Sequence, residues 1–161
     1  MSGFEITPVA EQVCRHVRQQ RTDPIYGYAY DVAESVAGPN GYGPCRQCLK
    51  KFTEGERRLL FLFNPFSTEI GDFAGPIFIH EQECTPFPAG DVFPDQLRVL
   101  PLLLRSYDTN GHFLAEIYPE DQSIEAVISE LFDAPAAHEV HIRNTQAKCF
   151  VAKAARTGNL R

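Results

Sequence analysis

The stretch LRSYDTNGHFLAEIY, residues 104–118, indicates a protein built on antiparallel strands. Its centre, Asp108 to Gly111, predicts a tight turn because Asn-Gly tolerates the positive φ values that hairpins need. Apolar residues dominate both flanks, Leu97 to Tyr107 and Phe113 to Tyr118, which predicts two paired strands. Pro101 implies an edge, a bulge or a helical first half in the earlier flank.

The chain beyond this hairpin continues in the same manner. Ser123 is a good N-cap, and apolar residues recur after it at helical spacing: Ile124, Val127, Ile128 and Leu131. Glu139 to Arg143 and Cys149 to Ala154 predict a second hairpin around Asn144 to Lys148. The C-terminal part therefore alternates hairpins with one helix.

The N-terminal part carries shorter elements of the same kinds. Thr7 followed by Pro8 predicts the start of a helix that ends near Gln20. A helical turn is expected from Cys45 to Lys51, and the Pro-rich Glu81 to Pro94 segment is expected to be an irregular loop. Short strands are predicted at Phe4 to Ile6, Tyr26 to Val32, Arg58 to Asn64 and Pro76 to His80.

These elements predict an α+β fold with a mostly antiparallel sheet of about six to seven strands and two or three helices. The chain has 161 residues, the size of one domain, so a single domain over residues 1–161 is expected. No linker or internal repeat divides it.

Charge and hydropathy exclude some classes of function. The net charge of −6 disfavours a general binder of nucleic acid or of anionic membranes. The longest apolar stretch, Leu59 to Phe63, is far shorter than a membrane-spanning helix, and residues 1–10 lack a signal-peptide layout. We therefore expect a cytoplasmic protein with neither nucleic acid nor membrane as a partner. Its oligomeric state is open, with a homodimer as one option.

Cysteine usage is the strongest chemical signal. Five cysteines, an odd number, are expected to be thiols, metal ligands or reactive groups in a reducing compartment. Cys45 and Cys48 form C-x2-C, and His80 and Cys84 form H-x3-C, with 31 residues between the pairs. Two short-spaced pairs of such ligands are the pattern that tetrahedral zinc prefers. The spacing therefore predicts a metal site, with zinc as the expected ion.

The same residues support two other interpretations. Cys45 near Arg46, Lys50 and Lys51 could have a lowered thiol pKa and act as a nucleophile on a small anionic substrate, with His80 as base or Cys48 as resolving thiol. Alternatively, Cys14, Cys84 and Cys149 are small buried apolar residues without chemistry.

A second kind of site is predicted at the closing hairpin. Arg143 and Asn144 at a strand end form a fork of donors for a carboxylate or phosphate, and Arg105 and Tyr107 are expected on the same face. The alternative is a solvent-exposed polar face, or an internal pair of Arg143 with a carboxylate such as Asp108 or Glu139.

A third possibility is a non-catalytic interaction module. Its contact surface would be the aromatic strand with Tyr26, Tyr28 and Tyr30, or the Pro-rich loop from Thr85 to Pro94.

Five blocks of the sequence, in order, resemble an uncharacterised bacterial family, domain of unknown function 1203. They are GPCRQCL (43–49), GERRLLFLFNPF (55–66), GPIFIHEQEC (75–84), LRSYDTNG (104–111) and VHIRNTQAKCF (140–150), and the resemblance covers roughly Ile25 to Arg156. The family has no established activity, so the resemblance implies a shared site rather than a reaction. Family members tend to share counterparts of Cys45, Arg46, Gly75, Pro76, His80, Cys84, Arg105, Tyr107, Asp108, Arg143, Asn144 and Cys149.

What the resemblance implies is a site built from the Cys45 loop, the end of the His80 strand and the Arg143-Asn144 hairpin, with Arg46 among the ligand-binding candidates. This chain departs from the family in one respect. Lys148 stands where members usually have a glycine before the last cysteine.

Overall fold

The computed structural model describes residues 3–22, 32–39, 43–66 and 75–158. Within these ranges the chain forms eight strands, two α-helices and one short 3-10 helix. The elements are β1 (Phe4–Thr7), α1 (Glu11–Gln20), β2 (Ala33–Val36), β3 (Arg57–Phe63), β4 (Gly75–His80), the 3-10 helix (Asp95–Leu97), β5 (Leu102–Tyr107), β6 (Phe113–Ile117), α2 (Ile124–Phe132), β7 (Glu139–Asn144) and β8 (Phe150–Arg156).

Five strands form the larger sheet, in the order β1-β8-β7-β5-β6, and every pair is antiparallel. Both predicted hairpins lie in it, as β5-β6 and β7-β8. The Asp108 carboxylate accepts hydrogen bonds from the backbone of Asn110 (2.8 Å) and His112 (2.9 Å), which stabilises the first turn. Buried side chains of α2 share a core cluster with one face of this sheet.

The smaller sheet has the order β2-β3-β4, again antiparallel. Leu59, Phe61, Ile77 and Ile79 alternate along β3 and β4 and are buried. They share a second core cluster with Cys14 and Val17 of α1 and with Cys45 and Cys48. This cluster therefore places the C-x2-C segment against β3 and β4.

The α+β class and the antiparallel arrangement are confirmed, and the described strands are divided between two sheets. The predicted start of α1 is wrong. Thr7 lies in β1, paired with Lys153 of β8, and the helix begins at Glu11. Strand pairing thus overrides the local capping signal of Thr7-Pro8.

In the part of the chain that the structure describes, two of the predicted strands are not seen over their full predicted lengths. The Leu97 to Tyr107 segment is helical at its start, where Asp95–Leu97 is a 3-10 helix, and becomes a strand only at Leu102. The Tyr26 to Val32 strand falls on residues 23–31, outside the described residues, except for Val32. Among the described residues, no helix is long and apolar enough to span a membrane.

The predicted cap of α2 is confirmed. Ser123 lies just before the helix, and its hydroxyl accepts a hydrogen bond from the backbone of Ala126 at 3.1 Å. This bond satisfies one N–H of the first turn that has no partner inside the helix.

We predict that Ser123→Ala destabilises the protein by about 1 kcal/mol and lowers the melting temperature by about 2–4 °C. Ser129→Ala is the matched control, since Ser129 lies exposed within the same helix. Thermal unfolding followed by circular dichroism measures both variants. Equal melting temperatures for the two variants would show that the cap contributes nothing.

Candidate metal centre

The C-x2-C and H-x3-C pairs of the sequence meet at one point in the structure. The ligand atoms of Cys45, Cys48, His80 and Cys84 all lie within 4.8 Å of one another. The sulfurs of Cys45 and Cys84 are 3.8 Å apart, and the Cys48 sulfur lies 3.6 Å from Nδ1 of His80. We call these four residues the Cys/His cluster. Its composition and spacing are compatible with a bound metal ion.

A tight turn presents the two cysteines of the first pair. Pro44 and Lys51 form an isolated antiparallel bridge, and the amide of Cys45 donates to the carbonyl of Lys50 at 2.9 Å. The amide of Leu49 closes the turn on the Cys45 carbonyl at 2.9 Å, and Leu49 itself has a φ of 57°. The expected helical turn is thus a single closed turn, here named the cysteine turn (Pro44 to Lys51). Its reversal at Leu49 lets both sulfurs face the same point.

The second pair comes from the end of β4. His80 is the last residue of that strand, and Cys84 follows after one short reversal of the chain. The cysteine turn is fixed to this strand because the amide of Arg46 donates to the carbonyl of Phe78 at 3.0 Å. The amide of His80 also donates to the Cys45 sulfur at 3.3 Å. Strand β4 therefore sets the position of both pairs.

Glu56 fixes the orientation of the His80 ring. Its Oε2 lies 2.8 Å from Nε2 of His80. Thr53 holds the same carboxylate through its amide (2.6 Å) and its hydroxyl (2.9 Å). The Glu56 carboxylate accepts a hydrogen bond from Nε2–H of His80, and Nδ1 is then the ring nitrogen that faces the sulfurs.

A cation from α1 lies beside the Cys/His cluster. Arg18 donates from Nη2 to the Cys84 sulfur at 3.6 Å and from Nε to the His80 carbonyl at 3.1 Å. Its Nη1 donates to Oε1 of the buried Gln47 at 2.6 Å. The positive charge of Arg18 therefore lies next to a sulfur that would bind a metal ion as a thiolate.

The thiols of the site differ in their tendency to ionise. Hydrogen bonds from Cys48 and Cys84 lower the pKa of Cys45 well below its usual range, against the opposing effect of burial. The bond to Cys45 raises the pKa of Cys48, and hydrogen bonding to Cys45 raises the pKa of His80 to about 10. Burial raises the pKa of the neighbouring Cys14 to about 12, so Cys14 remains a neutral thiol.

The sequence profile of a family described as "Protein of unknown function (DUF1203)" matches residues 42–156. The chain belongs to this family. The matched region contains the whole Cys/His cluster, whereas Arg18 precedes it. Neither the curated proteins nor the solved structures contain a match to the chain.

In this DUF1203 protein the Cys/His cluster borders a cleft of about 480 Å³. Cys48, His80 and Cys84 line the cleft together with Glu56 and Lys50. Cys45 is fully buried and is absent from the described lining. Solvent in this cleft therefore reaches Cys48, His80 and Cys84, whereas Cys45 is shielded from it.

The predicted anion-binding residues lie at two other places. Arg105, Tyr107 and Arg143 share a face of the larger sheet, as expected from β5-β7 pairing. Arg143 is buried, donates from Nη1 to the Lys148 carbonyl at 2.8 Å, and lies 3.2 Å from Nδ1 of His141 through Nη2. Arg105 lies 3.5 Å from the Glu116 carboxylate. Arg143 therefore holds the β7-β8 turn from inside.

Arg46 and Asn144 instead line a separate cavity, described below. The internal Arg143–Glu139 pair that the sequence allowed is replaced by other partners. Glu139 pairs with His141 at 2.9 Å and with Lys153 at 3.4 Å. None of Arg46, Arg105, Tyr107, Arg143 and Asn144 belongs to the Cys/His cluster.

Sequence reasoning missed Glu56, Arg18 and Gln47. Glu56 is 24 residues from His80, and the pairing of β3 with β4 brings the two together. Arg18 is 66 residues from Cys84 and reaches it through the packing of α1. Two family blocks contained signals for these residues: GERRLLFLFNPF includes Glu56, and GPCRQCL includes Gln47.

His141 gives this protein a predictable pH dependence. Burial lowers the pKa of its ring to about 4, so the ring is neutral in the folded protein at pH 7. The unfolded chain takes up the proton below its ordinary pKa of ~6.5. The pKa of His141 is therefore lower in the folded protein than in the unfolded chain. The contribution of the neutral ring to the free energy of unfolding is fully present above pH 6.5. It is lost as the pH falls toward 4, by up to about 1.4 kcal/mol per pH unit.

We therefore predict that His141→Gln makes the free energy of unfolding less dependent on pH between pH 7 and pH 5. Urea unfolding at several pH values measures this slope. His138→Gln replaces an exposed histidine and is expected to retain the slope of the parent protein. If the free energy of unfolding of His141→Gln depends on pH as strongly as that of the parent protein, His141 is not the source of this pH dependence.

Proposed function

We propose that Cys45, Cys48, His80 and Cys84 bind one zinc ion in a closed structural site. The observation that carries the proposal is the spacing of the ligand atoms. Tetrahedral zinc with bonds of ~2.3 Å to sulfur and ~2.0 Å to nitrogen requires S–S edges of about 3.8 Å and S–N edges of about 3.5 Å. The Cys45–Cys84 and Cys48–His80 separations are 3.8 Å and 3.6 Å.

The donor set favours zinc over other metals. Three thiolates and one imidazole are soft and borderline ligands, a combination typical of tetrahedral zinc, whereas Mg²⁺ and Ca²⁺ select oxygen. Zn²⁺ with three thiolates and a neutral imidazole carries one net negative charge. Arg18, 3.6 Å from the Cys84 sulfur, supplies a compensating positive charge.

Four protein ligands leave no position for a substrate, which favours a structural role over a catalytic one. The ligands come from the cysteine turn, from the end of β4 and from the segment after it. One ion at this place joins segments that are 39 residues apart in sequence. Zinc therefore contributes directly to the folding free energy of this part of the chain.

The alternative of a Cys45 nucleophile fits less well, because Cys45 is fully buried and the cleft is lined by Cys48 and Cys84 instead. A nucleophile has to be reached by its substrate. Rapid alkylation of Cys45 in zinc-loaded protein near pH 7 would favour the enzyme.

The first prediction from the zinc site concerns stoichiometry. Protein purified without chelator should contain about one zinc per chain by elemental analysis. Cys84→Ala should lose most of the zinc and melt at a lower temperature, because three ligands cannot close the shell. Cys149→Ala is the matched control, since Cys149 lies outside the Cys/His cluster. A fully folded metal-free parent protein would remove the proposal.

The second prediction concerns Glu56. Glu56→Gln should weaken zinc affinity by about 10–100-fold, because a neutral amide oxygen accepts the hydrogen bond from Nε2–H more weakly than a carboxylate does. Competition with a chromophoric chelator measures the affinity. Glu54→Gln is the matched control, because Glu54 is exposed two residues away. If both variants bind zinc as tightly as the parent protein, Glu56 does not orient His80 for the metal.

A further inference from the structure

A second cavity of about 400 Å³ lies between the two sheets and shares no lining residue with the metal cleft. Leu60 of β3 and Phe78 of β4 form one wall, and Val151 of β8 contributes to the other. Its size and largely apolar walls are those of a small-molecule site. The polar groups at this cavity are few, and two of them are cations.

Arg46 is the unusual member of the lining. Its side chain is only 4% exposed, although it carries a charge. Nε donates to the Phe150 carbonyl at 2.7 Å and Nη1 donates to the Pro44 carbonyl at 2.6 Å. No carboxylate of the described chain forms an ion pair with it. Buried charges in proteins are normally paired with an opposite charge, so Arg46 is suited to an anion that the described residues do not supply.

The charge of the cavity has the same sign throughout. Lys51 is the second cation in its lining, and the described lining residues include neither Asp nor Glu. This occurs in a chain whose net charge is −6. An apolar cavity with a positively charged end is complementary to a molecule with an apolar body and an anionic head.

We propose that this cavity binds a small amphipathic carboxylate. The head group lies at Arg46 and Lys51, and the apolar body lies between Leu60, Phe78 and Val151. Guanidinium hydrogen bonds to a carboxylate are strong and directional, which favours a carboxylate over a neutral polar head. None of the residues that line this cavity is a candidate zinc ligand, so the site adds a binding function to the proposed structural zinc.

Octanoate is the probe, because it combines one carboxylate with a short apolar chain. Isothermal titration calorimetry of the full-length, zinc-loaded protein should show octanoate binding at one site. Octanol, which lacks the charge, and acetate, which lacks the chain, should each bind at least about tenfold more weakly. Octyl phosphate tests whether another anionic head serves equally well; binding as tight as that of octanoate would overturn the preference for a carboxylate.

Three variants locate the site. Lys51→Gln removes a cation and should weaken octanoate binding about tenfold. Ala147→Phe fills the cavity from an exposed lining position and should abolish binding. Lys50→Gln is the matched control, because Lys50 is the neighbouring lysine and lines the metal cleft instead; it should bind octanoate like the parent protein.

Arg46→Lys keeps the charge and loses the fork of donors, and it should also weaken binding. Zinc content and melting temperature are measured for every variant, so a folding defect or metal loss is separated from loss of the ligand site. Because Lys51→Gln and Ala147→Phe change lining side chains that are not zinc ligands, they remain informative even if Arg46→Lys fails to fold.

A second readout uses the Cys149 thiol, which lines the same cavity. Octanoate should slow alkylation of Cys149 in the parent protein and not in Ala147→Phe. The proposal is overturned if octanoate fails to bind the zinc-loaded protein, if octanol binds equally well, or if Lys51→Gln and Lys50→Gln bind it alike. A zinc-free protein that still binds octanoate would contradict the zinc site and leave this proposal standing.

Discussion

The cysteine turn is the connection on which both candidate sites depend. One backbone bond, from the Arg46 amide to the Phe78 carbonyl at 3.0 Å, fixes the turn to the smaller sheet. The Arg46 side chain then donates to the Phe150 carbonyl at 2.7 Å and fixes the same turn to the larger sheet. Arg46 thus forms hydrogen bonds to both sheets, and its position places Cys45 and Cys48 against the end of β4.

The cysteine turn lies between two different charged environments, the buried cation of Arg46 and the Cys/His cluster beside Arg18. The cation of Arg46 is buried, has no carboxylate partner within the described part of the chain, and is stabilised by two backbone carbonyls. The Cys84 sulfur of the Cys/His cluster lies beside Arg18, a cation contributed by α1. Each local charge is therefore balanced by a different part of the fold, and the total of −6 describes neither environment.

Structural features that depend only on residues close together in the sequence were predicted correctly. The Ser123 cap and the Asp108 turn need only neighbouring residues, and both formed as expected. The Cys/His cluster was also predictable, because the short spacing within each pair restricts where its ligands can lie. Thr7 was mispredicted because pairing with β8, almost the full chain length away, overrides its capping preference. The partition into two sheets and the position of Arg18 depend on such long-range contacts, for which one sequence carries no signal.

A metal ion bound by the Cys/His cluster would also affect the affinity of the second cavity for its proposed ligand. The cysteine turn contains Leu49 at a φ of 57°, in the left-handed region. This conformation is unfavourable for a residue other than glycine and persists only where the surrounding structure enforces it. Zinc bound by Cys45 and Cys48 on either side of Arg46 would restrict the same backbone. The guanidinium would then be held in place before a ligand arrives, so binding would incur less loss of conformational entropy. If both proposals hold, the ion and the ligand would be coupled through pre-organisation of one turn, without any contact between metal and ligand.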